Sequence, residues 1–277
     1  MANLTVDRDW VRYRQPRRGI ETLRAHFTGH AFDRHAHETL AIGQTDSGVQ
    51  RFRYRGRQHD STEGGMIVLH PGEPHDGECG ADGGFTYRMV YLDPGYGADL
   101  LLEAGLRPQL PFAPDPVTRD VVLRQAFVAL WEGLGETGDR LRQDEALVAL
   151  WRALARGRVG DRPPLAAPAR LVRVRDALAD APQRSWSLDE LAAIAGISRF
   201  ALCRAFRRAY GVTPYSWMLA RRLARARRDL AAGMPAAESA VASGFVDQSH
   251  LARNLKRHFG MAPGRFARIA ARVPEPT

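Results

Sequence analysis

Cysteine is scarce in this 277-residue chain, and lysine is scarcer still. The two cysteines, Cys79 and Cys203, are too few for a disulfide framework and suit a reducing compartment. No apolar run approaches the roughly 18 residues of a membrane span, and the first residues lack the basic-then-apolar pattern of a signal peptide. These absences argue against a disulfide-stapled secreted scaffold and a membrane helix. They predict a soluble, cytoplasmic protein.

Basic residues are concentrated towards the end of the chain. The whole sequence has 40 Lys+Arg and 31 Asp+Glu. From residue 170 onward there are 19 basic and 8 acidic residues, whereas the preceding part has 21 basic and 23 acidic. A positive excess confined to the last third indicates a surface for a polyanion. All of its basic residues except Lys256 are arginines, which suit two-point contacts to phosphate and guanine.

The same local pattern occurs twice in this basic region. Each copy has a short apolar-striped helix, a glycine-containing turn, a Ser or Asp that can cap a helix, and then a basic helix. The copies cover residues 187–210 and 235–259, about 48 residues apart. This pattern is typical of a helix-turn-helix, whose second helix enters the major groove of DNA.

The basic helix of the first copy, residues 199–210, is predicted to be a recognition helix. Its inward face is formed by Leu202, Ala205, Phe206 and Ala209. Its outward face carries Arg199, Phe200, Cys203, Arg204, Arg207 and Arg208. We expect Arg204 to contact guanine and Phe200 to contact a thymine methyl group, with Cys203 beside them. The other three arginines are expected on phosphates; the alternative is a solvated basic face.

The basic helix of the second copy, residues 248–259, is predicted to be a second recognition helix. Leu251, Leu255 and Phe259 face inward. The predicted DNA contacts are Gln248, Ser249, His250, Arg253, Asn254, Lys256 and Arg257. Gln248 and Asn254 suit adenine, Arg253 suits guanine or phosphate, and Lys256 suits phosphate. His250 is equally well a DNA contact or an ordinary surface residue.

A third helix is predicted between the two copies, at residues 214–232. Nineteen helical residues span about 28 Å, which would set the recognition helices near one DNA turn, about 34 Å, apart. Some of its arginines are expected to touch the DNA backbone and others to be solvated. They are Arg221, Arg222, Arg225, Arg227 and Arg228.

Residues 187–266 also carry specific motifs. They are Ser187-Leu-Asp-Glu-Leu-Ala, Gly196-Ile-Ser198, Leu202, Phe206, Gly211-Val-Thr-Pro214-Tyr215, Arg221-Arg-Leu-Ala-Arg-Ala, Ala240-Val-Ala-Ser-Gly-Phe245, Ser249, Lys256-Arg-His-Phe-Gly260, Pro263 and Phe266. About 100 residues here resemble the DNA-binding domain of the AraC/XylS family of transcription regulators. The sequence departs from the family pattern at Leu251 and Leu255, where Phe is usual, and at Ala262, where Thr is usual.

The first half of the chain has a different periodicity. Short alternating segments at residues 20–28, 39–45, 48–54, 65–69 and 84–92 predict strands of a barrel or sandwich. Helical periodicity follows at 118–134 and 141–155. The resemblance implies an α+β protein of two domains: a cupin-like sensor barrel with two helices at residues 1–157, a linker at 158–168, and an all-α DNA-binding domain at 169–277.

The resemblance further implies that the barrel binds a small effector. The candidate wall residues are His35, His37, His75, Tyr87 and Met89. The three histidines have a cupin-like spacing, but Ala41 and Ile42 stand where a cupin metal site has Glu. We therefore expect no metal and no cofactor, and histidines that bond barrel turns or line a pocket. Arg51, Arg53 and Arg55 share a strand face, which favours solvent over an acidic ligand.

By the same resemblance, the chain is expected to be a non-enzymatic transcription regulator, of the activator type. Its expected partners are double-stranded DNA, a small effector, RNA polymerase and a second copy of itself. The two helices at 118–155 are expected either to form the homodimer contact or to seal the barrel within one subunit. Two other functions compete: a cupin enzyme with a nucleic-acid tether, and an architectural DNA binder that needs no effector.

Overall fold

The computed structural model describes residues 9–93, 96–97, 113–135, 139–156, 168–210 and 212–271. Except for Pro168, the predicted linker lies outside these residues, so the domain bounds stay a prediction. A strand-rich region comes first and a helical region follows, which confirms the predicted fold class.

Nine strands form two sheets that share their longest member. The strands are β1 (Trp10–Arg17), β2 (Ile20–Phe27), β3 (His30–His35), β4 (Leu40–Tyr54), β5 (Arg57–Thr62), β6 (Met66–Leu69), β7 (His75–Cys79), β8 (Phe85–Leu92) and β9 (Val117–Thr118). The first sheet has the order β1-β2-β8-β4-β6-β9. In the second sheet, β4 pairs with β5 and β7, and β7 pairs with β3. All these pairs are antiparallel.

Strand β4 corrects one prediction. A turn was expected at residues 46–48, between two strands, but the strand continues through it with a bulge after Thr45. Gly48 makes this continuation feasible because its φ is +73°, and a Cβ there would lie 2.1 Å from the carbonyl oxygen of Gly84. The bulge turns the chain from the first sheet into the second. Strands β1, β3, β5, β7 and β9 were not predicted, since their apolar alternation is weak or very short.

Two helices cover the outer face of the first sheet: α1 (Val121–Gly135) and α2 (Arg140–Ala155). Phe127, Leu130, Leu150 and Trp151 are buried there against sheet residues such as Val90. The apolar stripe therefore seals the barrel within one chain, as one of the two expectations had it. The predicted phase of the stripe was partly wrong, because Val121, Val122 and Leu141 are exposed.

The remaining helices form the carboxyl-terminal region. They are α3 (Ala169–Asp180), α4 (Leu188–Ala195), α5 (Arg199–Tyr210), α6 (Pro214–Ala231), α7 (Ala236–Ala242), α8 (Gln248–Phe259) and α9 (Pro263–Ala270). The boundaries of α5 and α8 agree with the predicted recognition helices. Helix α6 ends at Ala231, one residue before the predicted end.

The two helix-turn-helix units belong to different cores. Leu178, Leu191, Leu202 and Phe206 bury one another in a core that includes the start of α6. The second unit instead shares one continuous core with the interior of the strand region, in which Phe259 and Phe266 join barrel residues such as Phe32. The second unit thus closes one side of the barrel.

A buried ion pair lies in this contact. Arg227 of α6 bonds the carboxylate of Glu21 on β2, and both side chains are almost fully buried. Tyr13 donates its hydroxyl proton to Glu21 at 2.7 Å, and the Arg227 guanidinium lies 4.8 Å from the ring centre of Phe259. A buried charge needs such partners, because losing one costs about 3–5 kcal/mol. The pair ties α6 to the barrel.

Candidate nucleic-acid interface and effector site

The first helix-turn-helix is built by local signals. Ser187 caps α4: its hydroxyl accepts from the amide of Glu190, whose carboxylate in turn accepts from the amide of Ser187. Gly196 ends α4 in the left-handed conformation with φ +64°. The hydroxyl of Ser198 then accepts from the amide of Ala201 at 3.3 Å, so α5 begins where the cap was predicted.

The outward face of α5 is open to solvent. Arg199, Arg204, Arg207 and Arg208 are exposed, while Cys203 is half-buried. The side chain of Phe200 is 77% exposed, and apolar contact with a base would remove this ring from water. Arg199 makes a surface ion pair with Asp189 at 3.3 Å. Leu202 and Phe206 are buried as predicted, whereas Ala205 and Ala209 are only half-buried.

The second recognition helix is open along the side that begins at its amino end. Asp247 caps α8 by accepting from the amide of His250 at 2.6 Å, as predicted. Gln248, Ser249, Arg253 and Arg257 are exposed. Lys256 is also exposed, but its ammonium group lies 3.0 Å from the carboxylate of Asp33 on β3. This helix therefore presents polar and basic groups to solvent while its last turn contacts the barrel.

Two of the predicted contacts in α8 have partners inside the protein. The His250 ring packs edge-on against Phe245, with ring centres 5.4 Å apart, and its Nδ1 accepts from the amide of Val246 at 3.4 Å. The side-chain amide of Asn254 donates to the carbonyl of His250 at 2.9 Å. Both residues shape the helix start as well as its surface.

The arginines of α6 correct another expectation, because several of them cannot reach DNA. Arg227 is in the buried pair with Glu21, and Arg222 donates to the carbonyls of Pro182 and Arg184 at 2.6 and 2.9 Å. Arg221 stacks on Trp217 and pairs with Asp93 at 3.5 Å. The sequence pattern did not show this because α6 is covered on several sides. Arg225 and Arg228 lie near Asp229 at 3.7 and 3.6 Å.

In the sensor region the structure brings His35, His37 and His75 together. The ring centre of His75 lies 4.3 Å from that of His35 and 4.8 Å from that of His37. Each imidazole contacts a backbone carbonyl through Nδ1: His35 that of Asp33 at 2.7 Å, His37 that of Thr39 at 2.8 Å, and His75 that of Glu73 at 3.0 Å. A carbonyl only accepts, so each Nδ1 carries the proton and each Nε2 of a neutral ring presents a lone pair.

Burial dominates the electrostatics of this histidine cluster. It lowers the pKa of all three imidazoles, and the neighbouring histidines lower the pKa of His35 and His37 further. The cluster is therefore neutral near pH 7. The Nε2 atom of His37 is buried and has no hydrogen-bond partner among the described residues. Such an orphaned acceptor is costly, and a ligand that donates a hydrogen bond would satisfy it.

The other two predicted effector residues lie deeper in the same core. Tyr87 and Met89 are buried on β8, and Tyr87 packs against Phe27, with ring centres 6.4 Å apart. The residues next to the histidines are instead Tyr91, 5.3 Å from His37, and Phe259, 6.5 Å from His35. Tyr91 shares the strand face of Tyr87 and Met89, whereas no local signal identifies Phe259. It comes from the second recognition helix.

Two further expectations concern ligands of other kinds. Within the described residues, no group of three or more His, Cys, Asp or Glu side chains has an arrangement that could hold a metal ion. Arg51 and Arg55 pair with Asp60 and Glu73, each at 2.7 Å, in line with the interpretation of a solvated face. Within the same residues, no helix combines the length and the apolar composition that crossing a bilayer requires.

Comparison with known families agrees with this architecture. Residues 18–155 match the model of the AraC-like ligand binding domain, and residues 191–269 match a helix-turn-helix domain model. The chain belongs to the AraC/XylS family of transcription regulators. It is a DNA-binding regulator with an amino-terminal ligand-binding domain.

Among curated proteins, similar sequences are regulators of the same type. The transcriptional regulator YbfI of Bacillus subtilis is 24% identical over 239 residues, which cover 85% of this chain and 87% of YbfI. RipA of Corynebacterium glutamicum is 35% identical over 104 residues, or 38% of this chain and 31% of RipA.

Among solved structures, the fold is similar to that of ToxT. ToxT from Vibrio cholerae O395 has a TM-score of 0.64 at 10% identity, with 93% of this chain and 100% of ToxT covered. ToxT from V. cholerae strain SCE256, bound to an unsaturated fatty acid, has a TM-score of 0.60 at 12% identity, with 95% and 100% covered. At this identity the likeness concerns the fold.

Proposed function

We propose that this regulator reads a specific DNA site with α5 and α8 together. The observation that carries the proposal is the pair of exposed outward faces, each with a capped amino end. On α5, Arg204 is exposed near the middle of the helix and has no ion-pair partner among the described residues. Such an arginine suits the two acceptors of guanine. Arg207 and Arg208, one turn later, suit phosphates.

A selection of bound duplexes from a random pool, with the full-length chain, tests this proposal. Arg204→Ala should remove the preference at one base position, at a cost of about 1–3 kcal/mol for the preferred site. Arg208→Ala is the matched control, since it removes the same charge from the same helix but should weaken all duplexes alike. Equal losses on selected and random DNA for Arg204→Ala would assign Arg204 to the backbone instead.

The effector is proposed to bind beside the histidine cluster, where the barrel meets α8. The neutral Nε2 acceptors of His35, His37 and His75 favour a ligand with hydroxyl or amine donors. The aromatic rings of Tyr91 and Phe259 favour an apolar part beside those donors. ToxT holds an unsaturated fatty acid, so fatty acids belong in the same screen. A compound that shifts both the melting temperature and the DNA affinity of the full-length chain would identify the effector class.

The remaining attributes of the proposal follow from its type. A protein that regulates transcription acts without catalysis and in the cytoplasm. RNA polymerase is a partner if the outcome is activation. Exposed Val121, Val122 and Leu141 at the starts of α1 and α2 leave an apolar edge, which is the proposed contact of a homodimer. Sedimentation of the purified chain tests that dimer.

A further inference from the structure

The connection between β3 and β4 lies directly against the second recognition helix. The amide of Ala36 donates to the carbonyl of Arg257 at 3.2 Å, and the amide of Asp33 donates to the carbonyl of Gly260 at 2.9 Å. His258 contacts the carbonyl of Ala36 through Nδ1 at 3.0 Å. The main chain of residues 33–38, the docking segment, is thus fastened to the last turn of α8.

Two carboxylates of the docking segment face cations of the DNA-binding domain. Asp33 pairs with Lys256, whose hydrogen bond lowers the pKa of that carboxyl. Glu38 is half-buried, hydrogen-bonds Ser216 in the first turn of α6, and lies within electrostatic range of both Arg207 and Arg257. Arg207 is on the first recognition helix and Arg257 is on the second. One sensor segment therefore contacts cations from both reading units.

The three cations that face these carboxylates are ones that the sequence pattern places on the recognition helices. Lys256 is predicted to bind phosphate, Arg207 is expected on phosphate, and Arg257 is a predicted DNA contact. A carboxylate and a phosphate use the same charge-assisted hydrogen bonds, so they compete for a cation. Arg204, Gln248 and Arg253, which are predicted to read bases, remain exposed and are not engaged by the docking segment.

We propose that the docking segment is a built-in competitor for DNA, in which Asp33 and Glu38 stand in for phosphates against Lys256, Arg207 and Arg257. This inference rests on the proposed DNA-binding function. The arrangement described here is then the low-affinity form, and DNA binding displaces residues 33–38 from α8. Because the base-reading side chains stay exposed, the competitor lowers affinity for every sequence alike and leaves the sequence preference unchanged.

The position of Glu38 makes a mild substitution informative. Burial raises the pKa of its carboxyl, while the hydrogen bond from Ser216 and the two arginines act in the opposite direction. The charge is thus only partly compensated in the docked state, so the isosteric Glu38→Gln change removes the competitor without opening a cavity. Asp60→Asn is a matched control, because it removes one surface carboxylate outside the docking segment.

The experiment measures binding of the full-length chain to a random-sequence duplex and to a selected duplex at one salt concentration. The double variant Asp33→Asn with Glu38→Gln should bind both duplexes about tenfold more tightly than the wild type, beyond the gain of Asp60→Asn. Affinity equal to that of the control would overturn the proposal. A gain on the selected duplex alone would also overturn it. If neither the wild type nor any variant binds duplex DNA, the proposed function itself fails.

Hydrogen exchange of the unmodified full-length chain supplies a readout that does not depend on variants. The amides of Asp33 and Ala36 are bonded to α8 in the docked state, so saturating duplex should speed their exchange. Unchanged protection in the DNA complex would show that residues 33–38 stay docked while DNA is bound, and the proposal would be abandoned.

Discussion

At the scale of single residues, the buried histidines share one local solution. His35, His37 and His75 each give the Nδ1 proton to a carbonyl two residues away along the chain. This fixes the tautomer and turns the Nε2 lone pair away from the backbone. Sequence spacing suggested that the three rings would meet, but the bonds that orient them depend on the backbone at the ends of β3 and β7.

The cluster predicts a pH dependence of stability. Its pKa values are lowered in the folded state by burial, so between those values and about 6.5 the unfolded chain binds more protons. The free energy of unfolding should therefore fall as the pH drops below about 6.5, by up to about 1.4 kcal/mol per pH unit for each histidine. The raised pKa of Glu38 opposes this near its own range.

Urea unfolding at several pH values measures this effect. His75→Gln should flatten the dependence, whereas His59→Gln, outside the cluster, should leave it unchanged. The same slope in the wild type and in His75→Gln would mean that His75 is solvated in the folded state.

Residue-scale prediction succeeded where the signal was local. The caps at Ser187, Ser198 and Asp247 were predicted from residue type and position, and the structure confirms them. It failed for Arg227, whose charge indicated a solvent or DNA contact. Burial of Arg227 is stabilised by Glu21, which lies 206 residues away in the sequence, and no local pattern reports such a pairing.

At the scale of elements, helices were predicted better than strands. The amphipathic stripe and caps of α5 and α8 lie within each helix, so the sequence alone placed both. Strand β4 was divided because residues 46–48 have turn composition, while its pairing with β8 keeps it extended. The stripe of α1 was shifted because the sheet, rather than the helix, decides which side is covered.

The junction of α8 with the barrel gives a test at this scale. Gly260 and Gly196 both end helices in the left-handed conformation, with φ +65° and +64°. A Cβ on Gly260 would lie 2.5 Å from the carbonyl oxygen of Asp33, whereas a Cβ on Gly196 would meet nothing within 4 Å. Gly196→Ala should cost about 1–2 kcal/mol of stability from the backbone conformation alone, and Gly260→Ala should cost clearly more.

Denaturant titration of the two alanine variants measures the difference. An equal loss of unfolding free energy in both would indicate that β3 and the end of α8 are not in contact in solution.

At the scale of the whole molecule, the sensor and the second helix-turn-helix unit form one packed body. The core that joins Phe32 to Phe259 and Phe266 is continuous through the barrel, while the first unit has a core of its own. Family resemblance predicted both regions and their order. It did not predict that one reading unit packs on the sensor, because that contact depends on residues far apart in the sequence.

This arrangement explains how a ligand site can act on DNA binding. The histidine cluster contacts Phe259 of α8, and the docking segment begins within β3 and includes His35 and His37. A ligand that separates these rings moves residues 33–38 relative to α8. Sensor and reading unit are therefore coupled through direct contacts rather than through the linker.

The most direct test of the central claim is a footprint of the full-length chain on its selected duplex, resolved to single bases. Recognition by α5 and α8 predicts two protected major-groove segments about one turn, roughly 34 Å, apart. Arg204→Ala should remove base contacts in one segment and Arg253→Ala in the other. A single protected segment, or loss from the same segment in both variants, would contradict a reading by two helices.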